Sequence, residues 1–196
     1  VVTDATLTPE VAQSALKSAV EDSFNCISVE GHMSTNDTVL LLANGAAGGE
    51  PLEGADYDAF YGAFEEVCVD LAKSIPADGE GATHLVQLDL SGCANRESAL
   101  QLARTVANSA LVKTAIAGAD PNWGRIVSAA GYAGVPFDPA KVTLHVNGFL
   151  LYQNGSPMPF DGKAVSQSIR ENRDTHVELQ FGDGDVSLRF WTTDLT

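Results

Sequence analysis

The strongest constraint on the fold is a change of hydrophobic period in mid-chain. Phe60, Phe64, Val67, Cys68, Leu71 and Ile75 recur at helical spacing, which predicts an amphipathic helix over 57–74, capped by Asp56 and followed by Pro76. After a Gly-rich link at 77–82, Val86, Leu88 and Leu90 alternate with Leu85, Gln87 and Asp89. That two-residue period is a strand. A chain carrying both periods must lay helix stripes on a sheet face, so the expected class is mixed α/β.

Other elements follow from local chemistry. Thr8-Pro9-Glu10 caps a helix through about Glu21, and Phe24 to Val29 reads as a strand. Ser34 to Asp37 is a cluster of capping residues, which predicts a helix over 38–43. Asn95 opens a helix from Arg96 to about Ala110, and Asp120-Pro121 opens another through about Tyr132. Asn147-Gly148 between apolar runs predicts a hairpin. Lys163 to Arg170 reads as a helix, and Asp183-Gly184 predicts a second hairpin between 175–181 and 186–191. The organisation read from this pattern is a first region at 1–76 and a second at 77–196, with a softer boundary near 136.

Composition narrows the function classes. With 26 acidic against 11 basic residues the formal net charge is −15, so nucleic acid and anionic membrane are poor partners. Two readings of the acidity stay open: a solvated surface, or a field that draws in small cations. No run approaches the roughly 20 apolar residues that span a bilayer. Cys26, Cys68 and Cys93 are odd in number and dispersed, which favours reduced thiols in a cytosol-like compartment. Val1-Val2 reads as the tail of a strand already under way, and the final residues stop just after a strand. Both ends therefore look cut near structural elements, either because the chain was trimmed or because it is one piece of a processed precursor.

The four histidines, His32, His84, His145 and His176, show no ligand spacing, and no metal is expected. Gly45 to Gly49 lacks a nucleotide-binding fingerprint and reads as a surface loop. Ser109 and Lys113 share helical spacing, but a Ser–Lys dyad would need a buried, depressed lysine. Two segments stand out. In Asp78-Gly79-Glu80-Gly81-Ala82, flanking glycines place one carboxylate on a turn, where Glu80 is suited to an ammonium group or is simply solvated. In Asp120-Pro121-Asn122-Trp123-Gly124-Arg125, a helix start carries an amide, an aromatic ring and a cation. That end either holds an anion or is a capped helix packing inward.

Five strings occur in one order: Thr3-Asp4-Ala5, Ser34-Thr-Asn-Asp-Thr38, Asp78-Gly-Glu-Gly-Ala-Thr83, Ala107-Asn-Ser-Ala-Leu-Val-Lys-Thr-Ala115 and Gly118-Ala-Asp-Pro-Asn-Trp-Gly-Arg-Ile126. Together they resemble the β subunit of the glutamate/ornithine N-acetyltransferase (ArgJ) family over nearly the whole chain. The resemblance implies a layered αββα-type sandwich, completed by an α chain, with a smaller C-terminal α/β region. It implies a precursor that cuts itself before a threonine, which then carries the acetyl group from N-acetylornithine to glutamate in arginine biosynthesis.

On the same ground that threonine lies just upstream of Val1, so no catalytic residue falls within this chain. Neither Thr3 nor Thr6 takes its place. The oxyanion donors resemble a Thr-Gly pair on the α subunit, and a further binding Asn and Thr lie beyond Thr196. Glu80 is the substrate-binding residue that carries over. Asn122, Trp123 and Arg125 match a family motif as support for the site or an interface. His32 stands where the family usually has Asp. The resemblance further implies an α2β2 heterotetramer, small amino-acid substrates, no cofactor, and acetyl-CoA as a co-substrate in some members. The compartment is the cytoplasm or, alternatively, the mitochondrial matrix. Competing readings are an N-terminal-nucleophile amidase or aminopeptidase, and a binding module without catalysis.

Overall fold

A computed structural model describes residues 1–196. In chain order it contains β1 (Val2–Thr3), α1 (Pro9–Asp22), β2 (Ile27–Ser28), β3 (Leu42–Ala43), α2 (Gly54–Ala77), β4 (Leu85–Cys93), α3 (Arg96–Ala107), α4 (Ala110–Ala117) and α5 (Trp123–Gly131). There follow β5 (Thr143–Val146), β6 (Phe149–Gln153), β7 (Ser156–Pro157), α6 (Gly162–Glu171), β8 (Asp174–Gln180) and β9 (Val186–Thr193). The fold is a mixed α/β sandwich, as the alternating periods require. Contacts divide it into two compact units: Val1–Ile27 with Met33–Ile75, and Ser28–His32 with Pro76–Thr196. The short segment 28–32 thus clusters with residues far along the chain rather than with its sequence neighbours.

The first unit is built on two helices. Thr8 accepts a hydrogen bond from the Val11 amide and Pro9 occupies the first turn of α1, so the cap and the fixed proline φ start the helix together. Ala15 and Ala19 of α1 are small enough to admit the aromatic face of α2. Phe64 and Cys68 are buried there, with Phe60 and Tyr61 partly covered. The rings of Phe60 and Phe64 stack with centroids 5.9 Å apart. The rest of the α2 stripe behaves differently, for Val67, Leu71 and Ile75 stay 44–48% exposed. A two-stranded parallel sheet joins β1 to β3, with Val2 opposite Leu42 and Thr3 opposite Ala43.

The second unit is a seven-stranded sheet in the order β2-β9-β4-β8-β5-β6-β7. Val86, Leu88 and Leu90 of β4 are buried with Val177 and Leu179 of β8 and Leu144 and Val146 of β5. Helix α3 packs its buried Ala99, Leu102, Ala103 and Val106 on β4 and β9. On β8 the polar Asp174, His176, Glu178 and Gln180 are exposed while the intervening residues are buried. This is the pattern of a sheet with one face in the core and one in water.

Several elements depart from local expectation. No helix forms over 38–43. Ser34 Oγ accepts from the Asn36 amide and Thr38 Oγ1 donates to the Asn36 carbonyl, so these side chains satisfy a turn instead of a helix start. The apolar run then becomes β3, because Leu42 N reaches Val1 O and Asn44 N reaches Thr3 O. The expected strand at 24–29 is a single 3₁₀ turn (Phe24–Cys26) followed by the two residues of β2. Helix α2 continues to Ala77 and includes Pro76 in its last turn, where a missing N–H costs one ladder bond at most. The helix expected to reach Ala110 ends at Ala107, and Ser109 caps the separate helix α4.

The two hairpins predicted from Gly-containing pairs part company. Asn147 (φ 49°) and Gly148 (φ 79°) form the tight link between β5 and β6, as an Asn-Gly pair favours. The strands flanking Asp183-Gly184 do not pair with each other. β4 lies between them, parallel to β8 and antiparallel to β9. The link crosses the end of β4, where Asp183 N and Gly184 N both donate to Gly92 O. A Cβ on Gly184 would lie 2.4 Å from Cys93 O, so the glycine is required by a close backbone crossing, not by a hairpin turn.

Candidate functional site

Glu80 sits on the turn between α2 and β4. Gly79 N donates to Pro76 O, and Ala82 N donates to Gly79 O. Gly81 takes φ +78°, the value needed at the third position of a type II turn, so glycine there lets the chain reverse without a Cβ penalty. Glu80 at the tip is exposed and has no partner within the chain. The turn therefore presents an unneutralised carboxylate to any ligand that approaches it.

Beneath the tip lies a buried polar cluster. Asp194 is fully buried, His84 is 8% exposed and Lys113 is 3% exposed. One carboxylate oxygen of Asp194 accepts from the amides of Thr83 (2.9 Å) and His84 (3.0 Å). The other accepts from the Thr83 hydroxyl and lies 3.0 Å from His84 Nδ1. Burial pushes the Asp194 carboxyl up, but the hydrogen bonds from Thr83 and His84 outweigh it and hold the group below the ordinary aspartate range. Lys113 Nζ donates to Thr193 O (2.8 Å), Thr193 Oγ1 (3.1 Å), Asp194 O (3.2 Å) and Thr192 Oγ1 (3.3 Å). Burial pushes its ammonium down, against the opposing charges of Glu30 and Asp194.

This cluster is not a nucleophile relay. A Thr–His–Asp relay needs one ring nitrogen on the hydroxyl and the other on the carboxylate. Here Nδ1 faces both Thr83 Oγ1 and Asp194, while Nε2 lies 3.1 Å from the Ile169 carbonyl. The Ser109–Lys113 pairing does not form either. Ser109 accepts from the Val112 amide, and Lys113 points to the end of β9.

The second conspicuous segment spends its polar groups internally. Asn122 caps α5 by accepting from the Arg125 amide and donates to Asp120. Arg125 donates to the Leu111 carbonyl and to Thr114 Oγ1, both at 3.0 Å, which ties α5 to α4. Trp123 stacks on Tyr152 of β6 with ring centroids 5.3 Å apart. All three are half-buried.

His32 is exposed, and no three His, Cys, Asp or Glu residues are grouped to hold a metal ion. Two surface grooves lie on the sheet, one lined in part by Asn147, Arg173 and His176, the other by Asp89 and Arg189. Asp89 and Arg189 pair with each other at 2.7 Å, and neither groove includes Glu80. The Glu80 turn, unlike the Asp89–Arg189 groove, combines an unpaired charge with a buried polar scaffold. Sequence reasoning singled out Glu80 but missed Thr83, His84 and Asp194. The one available hint was Lys113, a cation set among Val112, Ala115 and Ile116.

Fold and site together define a mixed α/β protein with an acidic, glycine-flanked turn built over a buried ion cluster. The chain belongs to the ArgJ family, whose model matches residues 1–196. It is 43% identical to the arginine biosynthesis bifunctional protein ArgJ of Rhodopirellula baltica, over 100% of this chain and 48% of that protein. It is 44% identical to the ArgJ protein of Parasynechococcus marenigrum, over 98% of this chain and 46% of that protein. Identity is 42% to a chloroplastic ArgJ protein of Citrullus lanatus, over 100% of this chain and 45% of that one. The chain thus spans about half the length of these curated relatives. A crystal structure of the ArgJ protein from Bacillus halodurans matches with TM-score 0.96 and 36% identity, over 100% of this chain and 93% of that chain.

Proposed function

We propose that this chain is the β portion of an acetyltransferase that moves acetyl from N2-acetyl-L-ornithine to L-glutamate in arginine biosynthesis. Family membership over residues 1–196 carries this reading, together with relatives whose printed name is arginine biosynthesis bifunctional protein. The reaction runs in two balanced halves. A threonine hydroxyl just upstream of Val1 attacks the acetyl carbonyl, the amide C–N bond breaks, and ornithine leaves with the proton. The glutamate amine then attacks the acetyl ester, the C–O bond breaks, and the threonine hydroxyl is restored.

In this scheme Glu80 anchors the side-chain ammonium of the donor. The observation behind it is a solvent-facing carboxylate with no internal partner. Asn122, Trp123 and Arg125 support the α4–α5 corner rather than touch the substrate, as their internal bonds indicate. The chemistry needs no cofactor or metal, and acetyl-CoA is an alternative donor in the same cycle. The partner is an α chain from the same precursor, in an α2β2 assembly. The exposed apolar ridge of Val67, Leu71 and Ile75 on α2 favours such a partner. No helix is long and apolar enough to cross a membrane, and we place the enzyme in the cytoplasm, with the mitochondrial matrix as the alternative.

The test uses the processed enzyme from the full-length precursor. Glu80→Gln is expected to weaken kcat/KM for N-acetylornithine by roughly 1.5–3 kcal/mol, the range for losing a hydrogen bond to a charged group. Unchanged kinetics would remove Glu80 from the site. Acetyl transfer without any trapped threonine ester would remove the covalent cycle.

A further inference from the structure

We infer that Asp194, gripped by Lys113 and His84, is the positioning residue that sets where the Glu80 turn stands. The inference rests on the proposed role of Glu80 and adds the residues that aim it.

The turn is fixed at both ends by one short stretch of chain. At its exit, the Asp194 carboxylate takes three donors from two consecutive residues, the amides of Thr83 and His84 and the Thr83 hydroxyl, and lies 3.0 Å from His84 Nδ1. At its entry, Gly79 packs so closely on Thr193 that an added Cβ would lie 3.1 Å from Thr193 Cγ2. Thr193 and Asp194 are in turn held by one ammonium group, since Lys113 Nζ donates to both of their carbonyls. The end of β9 is thereby locked to α4, and the ring of His84 is locked to α6 through the Ile169 carbonyl. Thr192 Oγ1 donates to the Ser28 carbonyl, which adds a third tether.

A buried ion cluster is costly in desolvation and is weak evidence for stability as such. What this one does achieve is geometric. It ties down both ends of residues 79–84, and Glu80 is the one free charge that those residues carry outward. A tip carboxylate on an otherwise flexible Gly-Glu-Gly turn would lose much of its binding free energy to ordering. Fixing the turn beforehand recovers it.

The experiment compares donors with and without the cation, in the processed enzyme. Asp194→Asn keeps the shape but replaces one accepting oxygen by a donor. It should raise KM for N-acetylornithine roughly tenfold with little change in kcat, and leave transfer from N-acetylnorvaline, which lacks the side-chain amine, unaltered. Combined with Glu80→Gln it should add nothing, because both changes remove one interaction.

A kcat loss shared by both donors, or full additivity with Glu80→Gln, would overturn the positioning role. If Glu80→Gln impairs N-acetylornithine use while Asp194→Asn does not, positioning fails and the Glu80 reading stands. If Glu80→Gln itself has no effect, the Glu80 reading fails. Should Asp194→Asn not fold, Thr83→Val carries the test, since it removes a single donor from an exposed residue. A KM rise of about threefold for N-acetylornithine alone is then expected, and an unchanged KM overturns the inference.

Discussion

The Glu80 turn and the start of α5 look alike as sequence: each joins glycine, a polar residue and a charge at the mouth of an element. In the structure they are opposites. The α5 segment consumes its own groups, since Asn122 caps the helix, Arg125 binds two acceptors on α4 and Trp123 lies on Tyr152. The Glu80 turn leaves its charge unspent and delegates its rigidity to residues more than a hundred positions away. The lesson is that two turns of like composition differ less in their own residues than in which distant groups hold their backbones.

That contrast can be broken by measurement. The largest effect is expected for Asp194→Ala, which strips Thr83 and His84 of their shared, buried carboxylate and should cost about 3–5 kcal/mol in urea unfolding. Its pH dependence has a definite sign. The Asp194 carboxyl is depressed in the fold, so its contribution is present above the unfolded value and is lost as pH falls through the folded one. The gap between wild type and variant should therefore narrow only in acid below the ordinary aspartate range. A gap that closes near neutrality would reject the assignment.

Arg125→Ala should cost roughly 1.5–3 kcal/mol of stability, from the loss of charge-assisted bonds to Leu111 and Thr114, while KM for N-acetylornithine stays put. A selective KM change would move Arg125 into the site. Glu80→Gln should leave urea stability within about 0.5 kcal/mol of wild type, whatever it does to turnover. The smallest signal is chemical. Burial, with Asp183 nearby, pushes the Cys93 thiol up to about 11. Thiol alkylation of the native enzyme at neutral pH should therefore spare Cys93, and rapid labelling would mean that β4 opens locally.

Where local chemistry sufficed, the sequence was readable. Thr8 and Pro9 set the start of α1, Asn147-Gly148 adopts the positive φ pair that turns β5 into β6, and the Phe60–Phe64–Cys68 stripe finds its partner helix. Where distant chain segments compete, it was not. The run before Ala43 pairs with β1 because backbone donors found acceptors there, whereas a six-residue helix would have left most of its end groups unpaired. Asp183-Gly184 reads as a hairpin locally, yet β4 inserts between its flanks and turns the link into a crossover.

Sequence alone determined the mixed α/β class and the exposed carboxylate at Glu80, because periodicity, capping and turn chemistry act within a few residues; the family was legible separately, in the ordered strings that the chain shares with its relatives. Only the tertiary structure decided that Thr83, His84, Lys113 and Asp194 meet. Burying ions demands simultaneous partners from three separate segments, the start of β4, α4 and the end of β9, and no local pattern along the chain encodes that coincidence.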